Sequence, residues 1–83
     1  MEISEIKKKI KDFLEKYIKN VDLDEDEDIF QSRLVNSLFA MQLVLFVEKE
    51  FSVKVGNEDL DLQNFKSINA ISAFVERKKR NEN

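Results

Sequence analysis

The fold is decided by residues 37–51, which have the sequence SLFAMQLVLFVEKEF. Between Ser37 and Glu48 the only polar side chain is Gln42, so apolar groups would surround a helix almost completely. Such a helix must be covered by neighbours on more than one side. Ser37 precedes the first apolar residue, where its hydroxyl can cap the unpaired N–H groups of the first turn. The segment is therefore predicted to be the central helix of a small bundle.

Amphipathic helices are predicted on either side of this segment. The first is expected over residues 4–19, because apolar residues there recur at steps of three and four, as is typical of a helix with one buried stripe. These residues are Ile3, Ile6, Ile10, Phe13, Leu14, Tyr17 and Ile18. The last helix is expected over residues 67–79, with Ser67 as its cap. Its basic end, residues 77–80, complements the negative end of the helix dipole.

The connecting segments predict a long loop and a short helix. Residues 21–35 lose the helical period and hold an acidic cluster, so we expect a solvated loop. Residues 53–55 predict an extended piece ending at Gly56, which tolerates a positive φ. A short helix is expected over residues 58–65. The predicted fold is all-α, a four-helix bundle with a long first loop and a short third helix, in one domain over residues 1–83.

The composition excludes several classes of function. The chain has 83 residues, with no histidine and no cysteine. It therefore lacks the side chains on which most small enzymes and metal domains depend. Ser37 has no histidine to act as its base, so a hydrolase nucleophile is not predicted. We expect no intrinsic catalysis and no bound metal.

The net charge of −3 is unevenly distributed. Residues 1–20 carry six bases and four acids, residues 21–61 carry three bases and eleven acids, and residues 62–83 carry five bases and two acids. This balance does not predict a nucleic-acid partner. There is no apolar run of the roughly 20 residues that a membrane span requires, and no signal peptide pattern. We therefore expect a cytoplasmic protein that does not enter a membrane.

The acidic cluster matches part of a calcium-binding loop. Asp22, Asp24 and Asp26 have the spacing of the first three ligands of an EF-hand. The sixth position is Glu27 instead of the glycine that the turn requires, and the twelfth is Arg33 instead of a bidentate glutamate. A solvated acidic loop is therefore favoured over calcium binding.

The order of motifs along nearly the whole chain resembles an acyl carrier protein. Carriers place an aspartate, a serine and a hydrophobic residue at the start of the second helix, where this chain has Asn36, Ser37 and Leu38. That helix ends in acidic residues and an aromatic residue. An extended piece, an acidic step and a Phe-x-Ser step then precede the last helix. In this chain these features are residues 48–51, 53–55, 58–60 and 65–67.

The resemblance implies that Ser37 carries 4′-phosphopantetheine, transferred from coenzyme A by a phosphopantetheinyl transferase. The arm supplies the thiol that the sequence lacks, and an acyl group is held on it as a thioester. A phosphodiester at a helix N-terminus lies where unpaired N–H groups favour negative charge. The chain is then a carrier and not an enzyme, with an acyl-carrier-type bundle, and we expect a stand-alone monomer.

Residues 35–43, VNSLFAMQL, resemble discrete carriers of glycerate-derived units in polyketide biosynthesis. The resemblance implies a glyceryl, hydroxymalonyl, methoxymalonyl or aminomalonyl extender unit, with Asn36 replacing the aspartate of many carriers. The implied partners are an acyl-loading enzyme and an acyltransferase, dehydrogenase or synthase. The alternatives are a fatty-acid carrier, a D-alanyl or other aminoacyl carrier, and a helical interaction domain without a cofactor.

Five residues near Ser37 and along its helix are expected to meet partner enzymes. Asn36 precedes the serine, and Leu38 and Met41 offer an apolar contact. Glu48 and Glu50 present acid to basic partner surfaces; two residues apart, they do not predict an acid–base pair. Brief encounters with successive enzymes suit charge steering combined with a small apolar patch. The periodicity leaves open whether Leu38 and Met41 are exposed or belong to the core.

Overall fold

The computed structural model describes residues 2–17, 24–31 and 37–80. All regular elements within these ranges are helical, which confirms the predicted all-α fold. The α-helices are α1 (Ile3–Tyr17), α2 (Ser37–Phe51), α3 (Leu62–Phe65) and α4 (Ile68–Arg80). Short 3₁₀ turns occur at Ile29–Gln31 and Asn57–Asp59.

The core forms where α1, α2 and α4 face one another. α1 packs against α4, and it runs antiparallel to α2, because Tyr17 contacts Phe39 at one end and Lys9 pairs with Glu50 at the other. The residues with the least exposure come from all three helices. They include Ile6, Ile10 and Leu14 of α1, Leu43, Val47 and Phe51 of α2, and Ile71, Phe74 and Val75 of α4. Among the described helices, α4 rather than α2 packs against two others, α1 and α3, so the central position predicted for α2 is not confirmed.

The third helix is shorter than predicted. Instead of one helix over residues 58–65, the chain forms a 3₁₀ turn, leaves helical geometry, and then forms the four-residue α3. Asp61 has extended backbone angles, with φ −126° and ψ 132°, and its Oδ1 accepts a hydrogen bond from the N–H of Gln63 at 2.9 Å. This side chain caps a new helix start, so the segment divides there. In α1, residues 18–19 of the predicted helix lie outside the described residues.

The described part of the acidic loop is attached to the start of α4. The N–H of buried Ile29 donates to the carbonyl of Lys66 at 2.7 Å. Asn69 donates twice, from its backbone N–H to the carbonyl of Glu25 at 2.9 Å and from Nδ2 to Oδ1 of Asp26 at 2.6 Å. Negative charge near a helix N-terminus is favoured by the dipole. Residues 24–27 are exposed as predicted, but this described part of the loop is held against α4 rather than only solvated.

Among the described residues, a positive φ occurs at Ser52 and not at Gly56, the residue that tolerates it best. Gly56 has φ −85° and ψ 174°, which any residue can adopt. Ser52, directly after the last residue of α2, has φ 54°. A left-handed residue in this position ends a helix, and glycine usually fills it. The chain therefore turns at Ser52, immediately after α2, and does not use the conformational freedom of Gly56.

Candidate functional site at the start of α2

Ser37 is the first residue of α2, a helix of fifteen residues. The N–H groups of the first turn have no acceptor within the helix, and the positive end of the helix dipole lies there. A phosphate attached at this position of the backbone would therefore be in a favourable field. Asn36 and the rest of residues 32–36 lie outside the described residues, so the role of Asn36 stays a prediction.

One face of α2 is apolar and exposed. Leu38, Met41 and Leu45 are 70%, 61% and 55% exposed. Their spacing of three and four residues places them in a single row along the helix, which we call the exposed stripe. The structure thus decides a question that periodicity left open, since neither Leu38 nor Met41 belongs to the core. Sequence reasoning did not single out Leu45, although its spacing from Met41 was the available signal.

The exposed stripe has no charged residue within it, because residues 37–47 contain none. The acids predicted to meet partners lie at its far end, and both already have contacts within the chain. Oε2 of Glu48 accepts a hydrogen bond from the N–H of Val55 at 2.9 Å. Oε1 of Glu50 lies 3.0 Å from Nζ of Lys9, in a pair that is partly exposed. Their role in partner recognition stays a prediction, and Glu48 also has a structural role.

An apolar groove opens beside the exposed stripe, between α2 and residues 60–65. Its volume is about 320 Å³. Among the described residues, Asp61 is the only charged one in its lining, and Leu60 forms part of an exposed rim. The groove is lined by Phe30, Ala40, Met41, Val44, Leu60, Asp61 and Phe65. Sequence reasoning missed it because the lining comes from three separate segments of the chain.

The wall of the groove opposite α2 is tied to α4 through Asp59. Oδ2 of Asp59 lies 2.6 Å from Nζ of Lys78 and accepts a hydrogen bond from the N–H of Gly56 at 3.1 Å. The hydrogen bond from Lys78 is the main reason that the pKa of Asp59 lies below its ordinary value. The Gly56 N–H and the charges of Lys78 and Arg77 act in the same direction, against the effect of burial. Asp59 is therefore held in its ionised form.

Several carboxylates in the described part of the acidic loop are used in contacts within the chain. Oδ1 of Asp24 accepts from the N–H of Asp26 at 3.1 Å, and Glu25 pairs with Lys7 at 3.0 Å. Over the ranges that the structure describes, no three potential ligands come together as a metal site requires. Asp22 and Arg33, which also entered the calcium hypothesis, lie outside those ranges.

Comparison with known proteins identifies the family. The family model for a phosphopantetheine attachment site matches residues 4–75, which is most of the chain. The chain belongs to the phosphopantetheine-binding family. A search of curated proteins finds no match. Proteins of this family carry 4′-phosphopantetheine covalently on a serine and act as carriers rather than catalysts. The predictions of an acyl carrier, of its cofactor and of a non-enzymatic role are thereby confirmed.

The serines of this carrier differ in their fitness to hold the arm. Ser67 is 4% exposed and caps α4, where Oγ accepts from the N–H of Ala70 at 3.0 Å. Ser72 is fully buried and donates to the carbonyl of Ile68 at 2.8 Å. Neither can present a bulky arm to an enzyme. Ser37, at the N-terminus of a long helix, has a backbone position that suits a phosphodiester.

A carrier of this family works with other enzymes, including the transferase that installs its arm and the enzymes that handle its acyl group.

Among the described helices, none combines the length and hydropathy needed to cross a membrane.

Proposed function

We propose that Ser37 is the serine that carries 4′-phosphopantetheine, and that the chain presents an acyl thioester to partner enzymes through the exposed stripe. The observation that carries this proposal is the position of Ser37 at the start of α2, one residue before the uncovered Leu38. The helix N-terminus favours the phosphate, and the stripe begins where a visiting enzyme must approach.

Mass spectrometry tests the attachment site directly. Incubation with coenzyme A and a promiscuous phosphopantetheinyl transferase should add the mass of one arm to the native chain. Ser37→Ala should abolish the addition, whereas Ser4→Ala and Ser52→Ala, at exposed serines, should retain it. An unchanged mass for the native chain, or full modification of Ser37→Ala, would contradict the proposal.

Partner enzymes are proposed to contact Leu38 and Met41 first, with Glu48 and Glu50 adding charge at the far end of the stripe. Small apolar patches suit brief encounters, and charge raises the rate at which partners meet. Glu50→Gln removes a charge from the far end of the stripe, and it is preferred to a change at Glu48 because Glu48 also bonds to the backbone. Loading should be slower in Glu50→Gln. It should also slow as the salt concentration exceeds ~0.15 M, where exposed charges more than about 8 Å apart are largely screened from each other. Glu58→Gln, at an exposed acid outside α2, is the matched control.

The acyl group is proposed to be a small polar unit of the glyceryl or malonyl type, as used in polyketide or hybrid biosynthesis. The resemblance of residues 35–43 supports this proposal. Hydroxyl and carboxylate groups would lose hydrogen bonds to water inside an apolar groove, and the carboxylate of Asp61 would repel a malonyl group. We therefore expect such a unit to remain outside the groove and open to an acyltransferase, dehydrogenase or synthase.

A fatty-acyl carrier is the second candidate, because the groove favours it. An apolar acyl chain placed between Met41 and Phe65 would leave water without exposing polar atoms. D-alanyl and other aminoacyl groups lack a comparable feature in their favour.

Loading assays separate these candidates. The chain with its arm should be offered to acyl-loading enzymes with glyceryl, malonyl, aminoacyl and fatty-acyl donors, and the added mass measured. A glyceryl or malonyl product supports the first proposal, and an exclusively fatty-acyl product replaces it with the second. In parallel, NMR signals of Met41 and Val44 should move on octanoyl loading and stay unchanged on glyceryl loading.

We also propose that the chain is monomeric and cytoplasmic. Sedimentation velocity tests whether it is a monomer.

A further inference from the structure

The outer wall of the groove consists of elements that are short. Residues 57–65 contain a 3₁₀ turn of three residues and the four-residue α3. Helical pieces of this length are marginal by themselves, because forming the first turn costs more than its few hydrogen bonds return. The position of this wall segment, residues 57–65, therefore depends on contacts with its neighbours.

Two consecutive basic residues of α4 hold the wall segment at two places. Lys78 pairs with Asp59 at 2.6 Å, with side chains 26% and 17% exposed. Arg77 donates from Nη2 to Oδ1 of Asn64 at 3.1 Å. The two attachment points are also joined to each other, since Nδ2 of Asn64 donates to the carbonyl of Asp59 at 2.9 Å. The polar contacts thus form one connected set.

An aromatic contact lies beneath this polar set. The rings of Phe65 and Phe74 have centroids 5.2 Å apart, and Phe65 lines the groove. The charged groups of Arg77 and Lys78 lie 5.6 and 5.9 Å from the centroid of Phe74. The same two basic residues therefore contact both the polar edge of the wall segment and the ring that supports its inner side.

We infer that Lys78 is a positioning residue for the groove, and that its pair with Asp59 holds the wall segment against α4 at a set distance from α2. Exposed ion pairs contribute little, but this pair is short, partly buried and shares its carboxylate with a backbone N–H. Without it, the wall segment opens locally and the groove loses one side. The inference rests on the proposed function only for what the groove would hold.

Amide hydrogen exchange of the unmodified chain tests this positioning. In Lys78→Met, the N–H groups of Leu60, Asp61 and Asn64, which bond within the wall segment, should exchange about fivefold to tenfold faster. The N–H of Ile71 in α4 should keep its rate. Lys79→Met is the matched control, since it removes the same charge from an exposed neighbour and should change nothing.

Two further variants separate positioning from general stability. Lys78→Arg should restore protection, because a guanidinium can also pair with Asp59. Asp59→Asn should reproduce the local acceleration if Lys78→Met does not fold. Equal acceleration in Lys78→Met and Lys79→Met, or faster exchange throughout the chain, would overturn the inference.

Probe binding connects the exchange result to the groove. The uncharged fluorophore N-phenyl-1-naphthylamine should bind Lys78→Met about threefold more weakly than the native chain, because one wall no longer contacts it. Lys79→Met should bind it with native affinity. Equal affinity in all three would overturn the link between Lys78 and the groove. None of these measurements involves Ser37 or the arm, so their failure is distinct from failure of the proposed function.

Discussion

The two faces of α2 have similar composition and opposite surroundings. Phe39, Leu43 and Val47 are 8%, 0% and 0% exposed, whereas the exposed stripe of Leu38, Met41 and Leu45 is more than half exposed. Both sets are apolar and both recur at helical spacing. The difference between them comes entirely from what each face contacts.

This difference separates stability from recognition. Burying a leucine stabilises a fold by about 1.5–3 kcal/mol, and a leucine left in water contributes almost nothing of this. Contiguous exposed apolar residues on a small protein usually mark a binding surface. One face of α2 therefore maintains the fold, and the other is available for the partners that a carrier meets.

The sharpest test of the two faces compares two leucines that are two residues apart. Leu43→Ala should lower the free energy of unfolding by about 2–5 kcal/mol, because it leaves a cavity in the core. Leu45→Ala, on the stripe, should change it by less than about 0.5 kcal/mol. Urea unfolding followed by circular dichroism measures both. Similar losses in the two variants would show that the stripe is also packed.

The converse test measures recognition instead of stability. Leu38→Ala and Met41→Ala should each lower kcat/KM of the phosphopantetheinyl transferase about tenfold, the effect of removing an apolar anchor worth roughly 1–2 kcal/mol. Their Tm should stay within a few degrees of the native value, since both side chains are exposed. Gln42→Ala, at an exposed polar position of the same helix, is the control. Native kinetics in both apolar variants would exclude the stripe as the contact surface.

A substitution at Ser52, the residue directly after α2, should stabilise the fold. Ser52→Gly should raise the free energy of unfolding by about 1 kcal/mol, because glycine adopts the φ of 54° without the steric cost of a Cβ. In a domain of this size that gain corresponds to roughly 4–8 °C in Tm. Ser52→Ala keeps the Cβ and should give no gain. A lower Tm for Ser52→Gly would indicate a function of the serine side chain that outweighs the backbone effect.

Asp59, in the wall segment on the other side of the groove from α2, should make a smaller contribution to stability that depends on pH. The pKa of Asp59 is lower in the folded chain than in the unfolded one, so folding favours its ionised form. The stabilisation is fully present above the unfolded pKa of about 3.9 and is lost as pH falls through the folded pKa. The stability difference between the native chain and Asp59→Asn should therefore be constant above about pH 5 and shrink below pH 4. A difference that grows on acidification would contradict this sign.

Much of the fold and part of the site could be predicted because the responsible signals are local. Helical periodicity predicts α1 and the apolar character of α2, and the hydroxyl of Ser67 caps α4 as its position before that helix indicates. The position of Ser37 at the start of α2 follows from the change in apolar pattern at that point. The ordered motifs were sufficient to indicate the family, which the match over residues 4–75 confirms.

Contacts between distant segments decided the rest. The side chain of Met41 is exposed and that of Leu43 is buried because other helices cover only one face of α2, and no pattern within an all-apolar helix indicates which face that is. The groove, the pair between Lys78 and Asp59, and the positive φ at Ser52 likewise arise where segments meet or the chain reverses. The sequence by itself determined the three long helices and the position of Ser37 at the start of one of them, since capping and periodicity act over a few residues. Tertiary packing alone decided which apolar surface remains free for partners.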